Sequence, residues 1–306
     1  MANINVLMCG GRRTGKTSII SAMNRSMLEK FANASIALQV EQSAYLQKYT
    51  NNQQALFGTD HMDDDYYFAD DQPTSEMDTF RSKVTFSDKR SALGLTFTDI
   101  PGEWFVDAAF EDKVIQLIRD NQILIIAVDT PHLIEENGKY HEVFNRPEKI
   151  TSLIKKALGG GDDKARMVLF VPVKIEKYAS NKIIGFHMND IFDKVKAGYS
   201  DLITYLTKSY TGQCTVAVAP CITMGGMEFV NFVPIKDKNG NKLPDLSING
   251  RTGLLEFNHR SRYAYLDDPV TEIHFYAPKN CEQPLLYVLL FLIALDLKRN
   301  KNMGPL

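Results

Sequence analysis

The sequence has little of what marks a membrane, secreted or nucleic-acid-binding chain. Its longest apolar run, Leu285 to Leu295, is about half of the ~20 residues a bilayer demands of a helix, so a buried helix is expected there instead. No basic segment followed by an apolar one opens the chain at MANINVLMCGG, and no signal peptide is expected. The four cysteines, Cys9, Cys214, Cys221 and Cys281, stand far apart with neither a C-x-x-C pair nor even spacing. That excludes a disulfide framework and fits a reducing cytoplasm. With 35 Lys and Arg against 37 Asp and Glu, no excess charge draws in nucleic acid or an anionic membrane, and neither is expected as a partner. The six histidines, His132 and His141 among them, show no H-E-x-x-H or other zinc-ligand spacing. Internal repeats and low-complexity tracts are also missing.

What is present is core material in alternating pieces. Of 306 residues, 44% are apolar, which fills an ordinary globular core, and a single domain spanning 1–306 is expected. Ile4 to Cys9, Ile123 to Val128, Met167 to Val173 and Cys214 to Ala219 are short apolar runs that read as strands. Phe80 to Phe86 and Gly94 to Ile100 read as adjacent strands. Helical stretches follow from Gly15, around Arg146 to Leu158, and from Asp190 to Lys208. This order predicts an α/β fold with a doubly wound, mainly parallel sheet, helices on both faces, one antiparallel strand and two long insertions. The first insertion, about 31–78, has helical spacing up to Leu56 and then turns acidic and aromatic in HMDDDYYFADDQPTSEMD. The second covers about 227–276, where DKNGNK around Asn239 and Gly240 signals a hairpin turn.

Gly10-Gly11-Arg12-Arg13-Thr14-Gly15-Lys16-Thr17 fits G-x-x-x-x-G-K-[ST] and lies between a strand and a helix, as the mechanism of that motif demands. Glycines let backbone N–H groups wrap a diphosphate, and the helix N-terminus adds positive potential. Lys16 reaches the outer phosphates and the Thr17 hydroxyl ligates magnesium. Gly10 through Ser18 are therefore the expected nucleotide contacts, with Lys16 catalytic as well. Arg12 and Arg13 either stabilise charge on the transferred phosphoryl, as arginine fingers do, or only raise the local potential; Arg13 is the catalytic candidate of the two.

Downstream, Leu93 to Asp99 alternates like a strand and ends in Ile100-Pro101-Gly102-Glu103-Trp104, a D-x-x-G at a strand's carboxyl end, where ligands bind. Asp99 is expected to hold magnesium through water, and the Gly102 N–H to touch the gamma-phosphate and report its loss. Glu103 stands where a water-orienting Gln is common. It either orients or deprotonates the nucleophile, or it forms a salt bridge at a hinge. Thr74, after Gln72-Pro73, is the candidate second hydroxyl on magnesium, ahead of Thr79, whose place at a strand start follows from propensity. The acidic group Asp63, Asp64, Asp65, Asp70 and Asp71 reads as a solvated face, and Trp104 as a packing residue.

Val173-Lys174-Ile175-Glu176, after another strand, has the place and shape of the [NT]-K-x-D guanine motif. The Glu176 carboxylate would accept from guanine N1–H and the 2-amino group, neither of which adenine offers, while the Lys174 stem crosses the base plane. The alternative is a strand-end ion pair. Cys221 and Ile222, in the next strand-end loop, are expected to present backbone N–H groups to the base oxygen; otherwise Cys221 is a small buried residue beside a glycine turn. Asp129 is expected only to cap a loop.

Together these residues resemble the TRAFAC-type P-loop GTPases. DIPGEW, PVKIEKY and the late Pro278-Lys279-Asn280-Cys281-Glu282-Gln283-Pro284 look like the bacterial double-GTPase (DO-GTPase) group and the related YcjX-like proteins. The resemblance implies a Mg2+-dependent switch that converts GTP to GDP, acts in bacterial stress or conflict, and signals to a protein effector or through a homodimer. Two other classes remain open: a P-loop ATPase or small-molecule kinase, with Arg251, Arg260 and Arg262 as lid arginines, and a nucleotide-loaded scaffold that does not hydrolyse.

Overall fold

The computed structural model describes residues 2–31, 36–41, 44–57, 65–68, 76–86, 92–161, 164–179, 188–210, 213–250, 253, 255–266 and 275–302. Strand β1 (Ala2–Cys9) leads through the glycine-rich loop into α1 (Lys16–Phe31), followed by β2 (Ile36–Glu41), α2 (Ala44–Ala55) and β3 (Tyr66–Phe68). Next come β4 (Asp78–Phe86), β5 (Ala92–Asp99), α3 (Glu111–Asp120), β6 (Ile123–Asp129), α4 (Thr130–Ile134), α5 (His141–Asn145) and α6 (Pro147–Leu158). The chain continues through β7 (Arg166–Val173), α7 (Glu176–Ala179), α8 (Met188–Gly198), α9 (Ser200–Ser209) and β8 (Cys214–Val218). Strands β9 (Met227–Pro234), β10 (Leu246–Ile248), β11 (Leu255–Phe257) and β12 (His259–Tyr265) precede the closing helix α10 (Gln283–Asn302).

Among the described residues, seven strands form one sheet in the order β2-β4-β5-β1-β6-β7-β8. The β5-β1-β6-β7-β8 pairs are all parallel, and only β4 runs against its neighbours β2 and β5. The expected doubly wound α/β sheet with one antiparallel strand is what the chain adopts. Side chains alternate across it. Val6 and Met8 face α1 and α10, whereas Leu7 and Cys9 face the layer of α3, α6, α8 and α9. Ile123 to Val128 are wholly buried, because a central parallel strand is covered on both faces, which is why it reads as an unbroken apolar run. Each such aliphatic side chain contributes about 1.5–3 kcal/mol to burial.

The structure differs from expectation in three places. The stretch up to Leu56 was expected to be helical, yet it begins with β2, which extends the main sheet by pairing with β4 from Ile36↔Phe86 to Glu41↔Arg81; tertiary pairing overrides local spacing there. The helical stretch Asp190 to Lys208 is two helices with Tyr199 between them, its ring buried against Phe170. The closing helix is not buried throughout: Leu285, Val288 and Leu289 enter the core, while Tyr287, Leu290 and Ile293 are exposed, since α10 covers the sheet with one face only. Among the described residues, no helix is long and apolar enough to cross a membrane.

Both insertions contribute to a second sheet of order β3-β12-β9, cored by Phe57, Met227, Phe229, Tyr263 and Tyr265. The Asn239-Gly240 hairpin is present, with Gly240 at φ +84° and Asp237 N–H donating to the Asn241 carbonyl at 2.8 Å.

Candidate functional site

The loop from Gly10 to Gly15 turns between the end of β1 and the first turn of α1, at the carboxyl edge of the sheet where ligands bind in doubly wound folds. Gly10 carries φ +145°, a conformation that L side chains rarely adopt. The Thr14 hydroxyl donates to the Gly11 carbonyl at 3.0 Å. Lys16, only 4% exposed, folds its ammonium back over the loop and donates to the carbonyls of Gly10 at 3.2 Å and Gly11 at 3.0 Å. Burial lowers its pKa, while Asp99 and Glu103 pull the other way. Ser18 follows in the first turn of α1.

At the end of the adjacent strand, Asp99 is fully buried and its Oδ2 accepts from the Thr17 hydroxyl at 2.5 Å. Burial raises the pKa of Asp99, against the opposing pull of Lys16 and the Thr17 hydrogen bond. Its second oxygen, Oδ1, is buried with no hydrogen-bond partner among the described residues. An unmatched carboxylate oxygen beside a hydroxyl is the oxygen-donor chemistry that suits magnesium.

Gly102 brings the second motif onto the first. A Cβ there would lie 2.2 Å from the Arg12 nitrogen and 2.4 Å from the Gly11 carbonyl carbon, so only glycine permits this backbone approach. Beside it, Arg12 Nε meets Glu103 Oε1 at 3.1 Å, both side chains more than a third exposed. Of the readings open for Glu103, the salt bridge is the one its contacts match. Arg13 has φ +62° and offers its carbonyl to the Lys174 ammonium at 3.2 Å. Trp104 packs as expected, stacked on Phe110 with the Lys113 ammonium over its ring. Thr74 lies outside the described residues.

The base end is arranged differently from expectation. Glu176 is buried, and its Oε1 accepts from the backbone N–H groups of Met224 at 3.1 Å and Gly225 at 3.2 Å; burial raises its pKa and these bonds oppose the rise. It therefore holds the loop after β8. The N–H groups of Cys221 and Ile222, expected to face a base oxygen, donate instead to the carbonyls of Pro172 at 2.8 Å and Lys279 at 3.0 Å. The reason is a tertiary pairing that local spacing does not reveal: Ile222 and Lys279 form an antiparallel bridge. This gives the Pro278 to Pro284 stretch a structural role. Glu282, within it, accepts from the Ser26 hydroxyl of α1 at 2.6 Å.

No protein-family model matches the chain, and no curated protein matches it. Solved structures do. It is similar to the S. cerevisiae Ski7 GTPase-like domain bound to GTP, with 9% identity over 90% of this chain and 73% of that one and a TM-score of 0.42. It is also similar to the signal recognition particle receptor SRb-GTP/SRX complex from Chaetomium thermophilum, with 11% identity over 74% and 93% and a TM-score of 0.41. Likenesses this remote decide nothing about the site.

One cluster escapes sequence reading. Asp129 does cap α4, its Oδ1 accepting from the His132 N–H at 3.1 Å, but Oδ2 also accepts from the Lys174 ammonium at 2.5 Å. The only local signal is a carboxylate closing an otherwise apolar strand, where a buried charge needs a partner. His132 in turn lies 3.1 Å from His259 of β12 through their Nε2 atoms.

Proposed function

We propose that this chain is a magnesium-dependent GTP-binding protein that hydrolyses GTP to GDP and phosphate slowly and acts as a conformational switch. The observation that carries the reading is the buried meeting of Thr17 and Asp99 below the Gly10–Thr17 loop, with Asp99 Oδ1 unmatched. Thr17 and Asp99 would hold magnesium, with Thr74 as the further hydroxyl, and the ion would supply charge neutralisation at the β- and gamma-phosphates. Lys16 would exchange its two carbonyl bonds for phosphate oxygens. Gly102, whose backbone approaches that of Arg12 and Gly11, would sense the gamma-phosphate through its N–H and carry the Glu103–Trp104 segment with it. Guanine as the base rests on the place of Lys174 and Glu176 after β7, and the Glu176 carboxylate would have to leave the Met224 and Gly225 N–H groups to accept from it; a protein effector or a second copy would read the moving segment. The resemblance to double-GTPase proteins suggests a cytoplasmic role in bacterial stress or conflict.

The test is titration with GTP, GDP and ATP in the presence and absence of magnesium, with phosphate release followed and Lys16→Ala as control. GTP and GDP should bind at least roughly tenfold more tightly than ATP, a modest selectivity for a site that pairs polar groups on the base. Phosphate release should stop in Lys16→Ala. Equal affinity for ATP and GTP would remove the role given to Glu176. A second reading, a nucleotide-loaded scaffold without turnover, draws on the Arg12–Glu103 contact, which engages the carboxylate otherwise suited to orient water. Single-turnover hydrolysis that is unchanged in both Glu103→Gln and Glu103→Ala assigns Glu103 to structure.

A further inference from the structure

Asp129 belongs to none of the recognised motifs, yet its carboxylate is fully buried and each oxygen has its own partner. Oδ2 accepts from the Lys174 ammonium, and Oδ1 lies 2.6 Å from His132 Nδ1 and also accepts from the His132 N–H. Asn145 brackets the backbone of the same residue: its Oδ1 accepts from the Asp129 N–H at 2.8 Å, and its Nδ2 donates to the Asp129 carbonyl at 3.0 Å. Burial pushes the Asp129 pKa up, but Lys174 and His132 more than reverse this and hold the carboxyl well below the usual range. A fixed, charged anion therefore stands at the end of β6.

Lys174 is constrained from the other side. Its backbone has φ +58°, a left-handed conformation that costs a non-glycine residue on the order of 1–2 kcal/mol and persists only where the surroundings impose it. A lysine ammonium on a four-carbon stem is otherwise free to rotate among many rotamers. Here it bridges Asp129 and the Arg13 carbonyl, joining the end of β7 to the middle of the phosphate loop. Two strand ends and the loop are tied at one nitrogen.

We propose that Asp129 is the positioning residue for Lys174: it fixes the ammonium against the phosphate loop before nucleotide arrives and so sets nucleotide affinity. His132 holds the carboxylate in turn, and Asn145 holds the backbone that carries it. The inference rests on the nucleotide-binding reading above. The competing account is a buried ion pair that matters to stability alone, since breaking such a pair destabilises a fold whatever its function.

A double-mutant cycle on the full chain separates them, with fluorescent GDP and magnesium as the probe. Asp129→Asn should weaken GDP binding about tenfold, the loss expected from one charge-assisted hydrogen bond. In a Lys174→Ala background the same change should have no further effect, because the ammonium it positions is gone. Additive losses in the two backgrounds, or no loss in Asp129→Asn, overturn the proposal and leave GDP binding by the wild type intact. A wild type that binds neither GDP nor GTP overturns both this and the functional reading. Should Asp129→Asn fail to fold, His132→Gln replaces it, removing the Nδ1 contact while leaving Asp129 and Lys174 in place. It should weaken GDP binding about threefold, again only when Lys174 is present; a loss that persists in Lys174→Ala overturns the proposal.

Discussion

A single absent side chain decides how the Gly10–Thr17 loop and the Asp99–Gly102 turn meet. Gly102 lets its own backbone approach that of Arg12 and Gly11, and a methyl group there would collide with main-chain atoms that have no rotamer to escape into. Gly102→Ala should therefore push the 102–105 segment off the loop at a cost of about 1–3 kcal/mol, the usual range for overpacking. The chain carries its own reporter, because Trp104 is the only tryptophan and lies two residues away. Its ring is stacked on Phe110, with centroids 4.8 Å apart, beneath the Lys113 ammonium at 4.0 Å. Adding GTP with magnesium should shift its emission, GDP should shift it less, and Gly102→Ala should remove the difference between the two. Equal shifts with both nucleotides would show that the segment does not respond to the gamma-phosphate.

At the scale of elements, a buried arginine organises a helix end in the core. Arg166, at the start of β7 and 2% exposed, donates to the carbonyls of Ile118 at 3.0 Å, Arg119 at 3.0 Å and Asn121 at 2.8 Å. It thus satisfies acceptors that α3 leaves open at its C-terminus, where a cation is also favoured by the helix dipole. Arg166→Leu should cost about 2–3 kcal/mol in urea unfolding, since charge-assisted bonds are lost and buried carbonyls are left unmatched. Lysine, lacking the planar fork, should rescue only part of it.

The same contrast between local and distant causes explains what could be read from the sequence. Gly10 to Thr17 is legible because one pattern spans eight consecutive residues between a strand and a helix, and the runs of β6 and β7 are legible because burial on both faces leaves them almost continuously apolar. Strand β2 was hidden because its partner, β4, follows more than thirty residues later in the register from Ile36↔Phe86 to Glu41↔Arg81. Likewise, the donors of Cys221 and Ile222 are engaged by Pro172 and Lys279. Nothing within a few residues of Ile222 announces a strand-like pairing with a segment beyond the second insertion.

For the molecule as a whole, the accessory sheet meets α4 and the start of α5 through aromatic and histidine side chains, and that contact should make stability depend on pH. His259 of β12 packs on Tyr140 and Phe232 and faces His132, Asp129, Asp245 and Lys139. Burial, with His132 next in weight, brings its pKa from 6.5 down to about 4; His132, wholly buried, is lowered as well. A histidine whose folded pKa is depressed binds fewer protons when folded than when unfolded between those two values, so stability falls as pH drops from about 6.5 toward 4. Asp99 and Glu176, whose pKa values are raised by burial, act in the opposite sense above the unfolded carboxylate range. Asp129, held low by Lys174, loses its contribution only on further acidification, below the unfolded value of 3.8. The informative quantity is therefore the difference between wild type and His259→Gln, which keeps a polar group near Nε2 and cannot titrate. Melting temperatures of the two should converge as pH falls from 6.5 to 4, the wild type losing more. Parallel curves across that window would place the acid sensitivity elsewhere than at the contact of His259 with His132 and Tyr140.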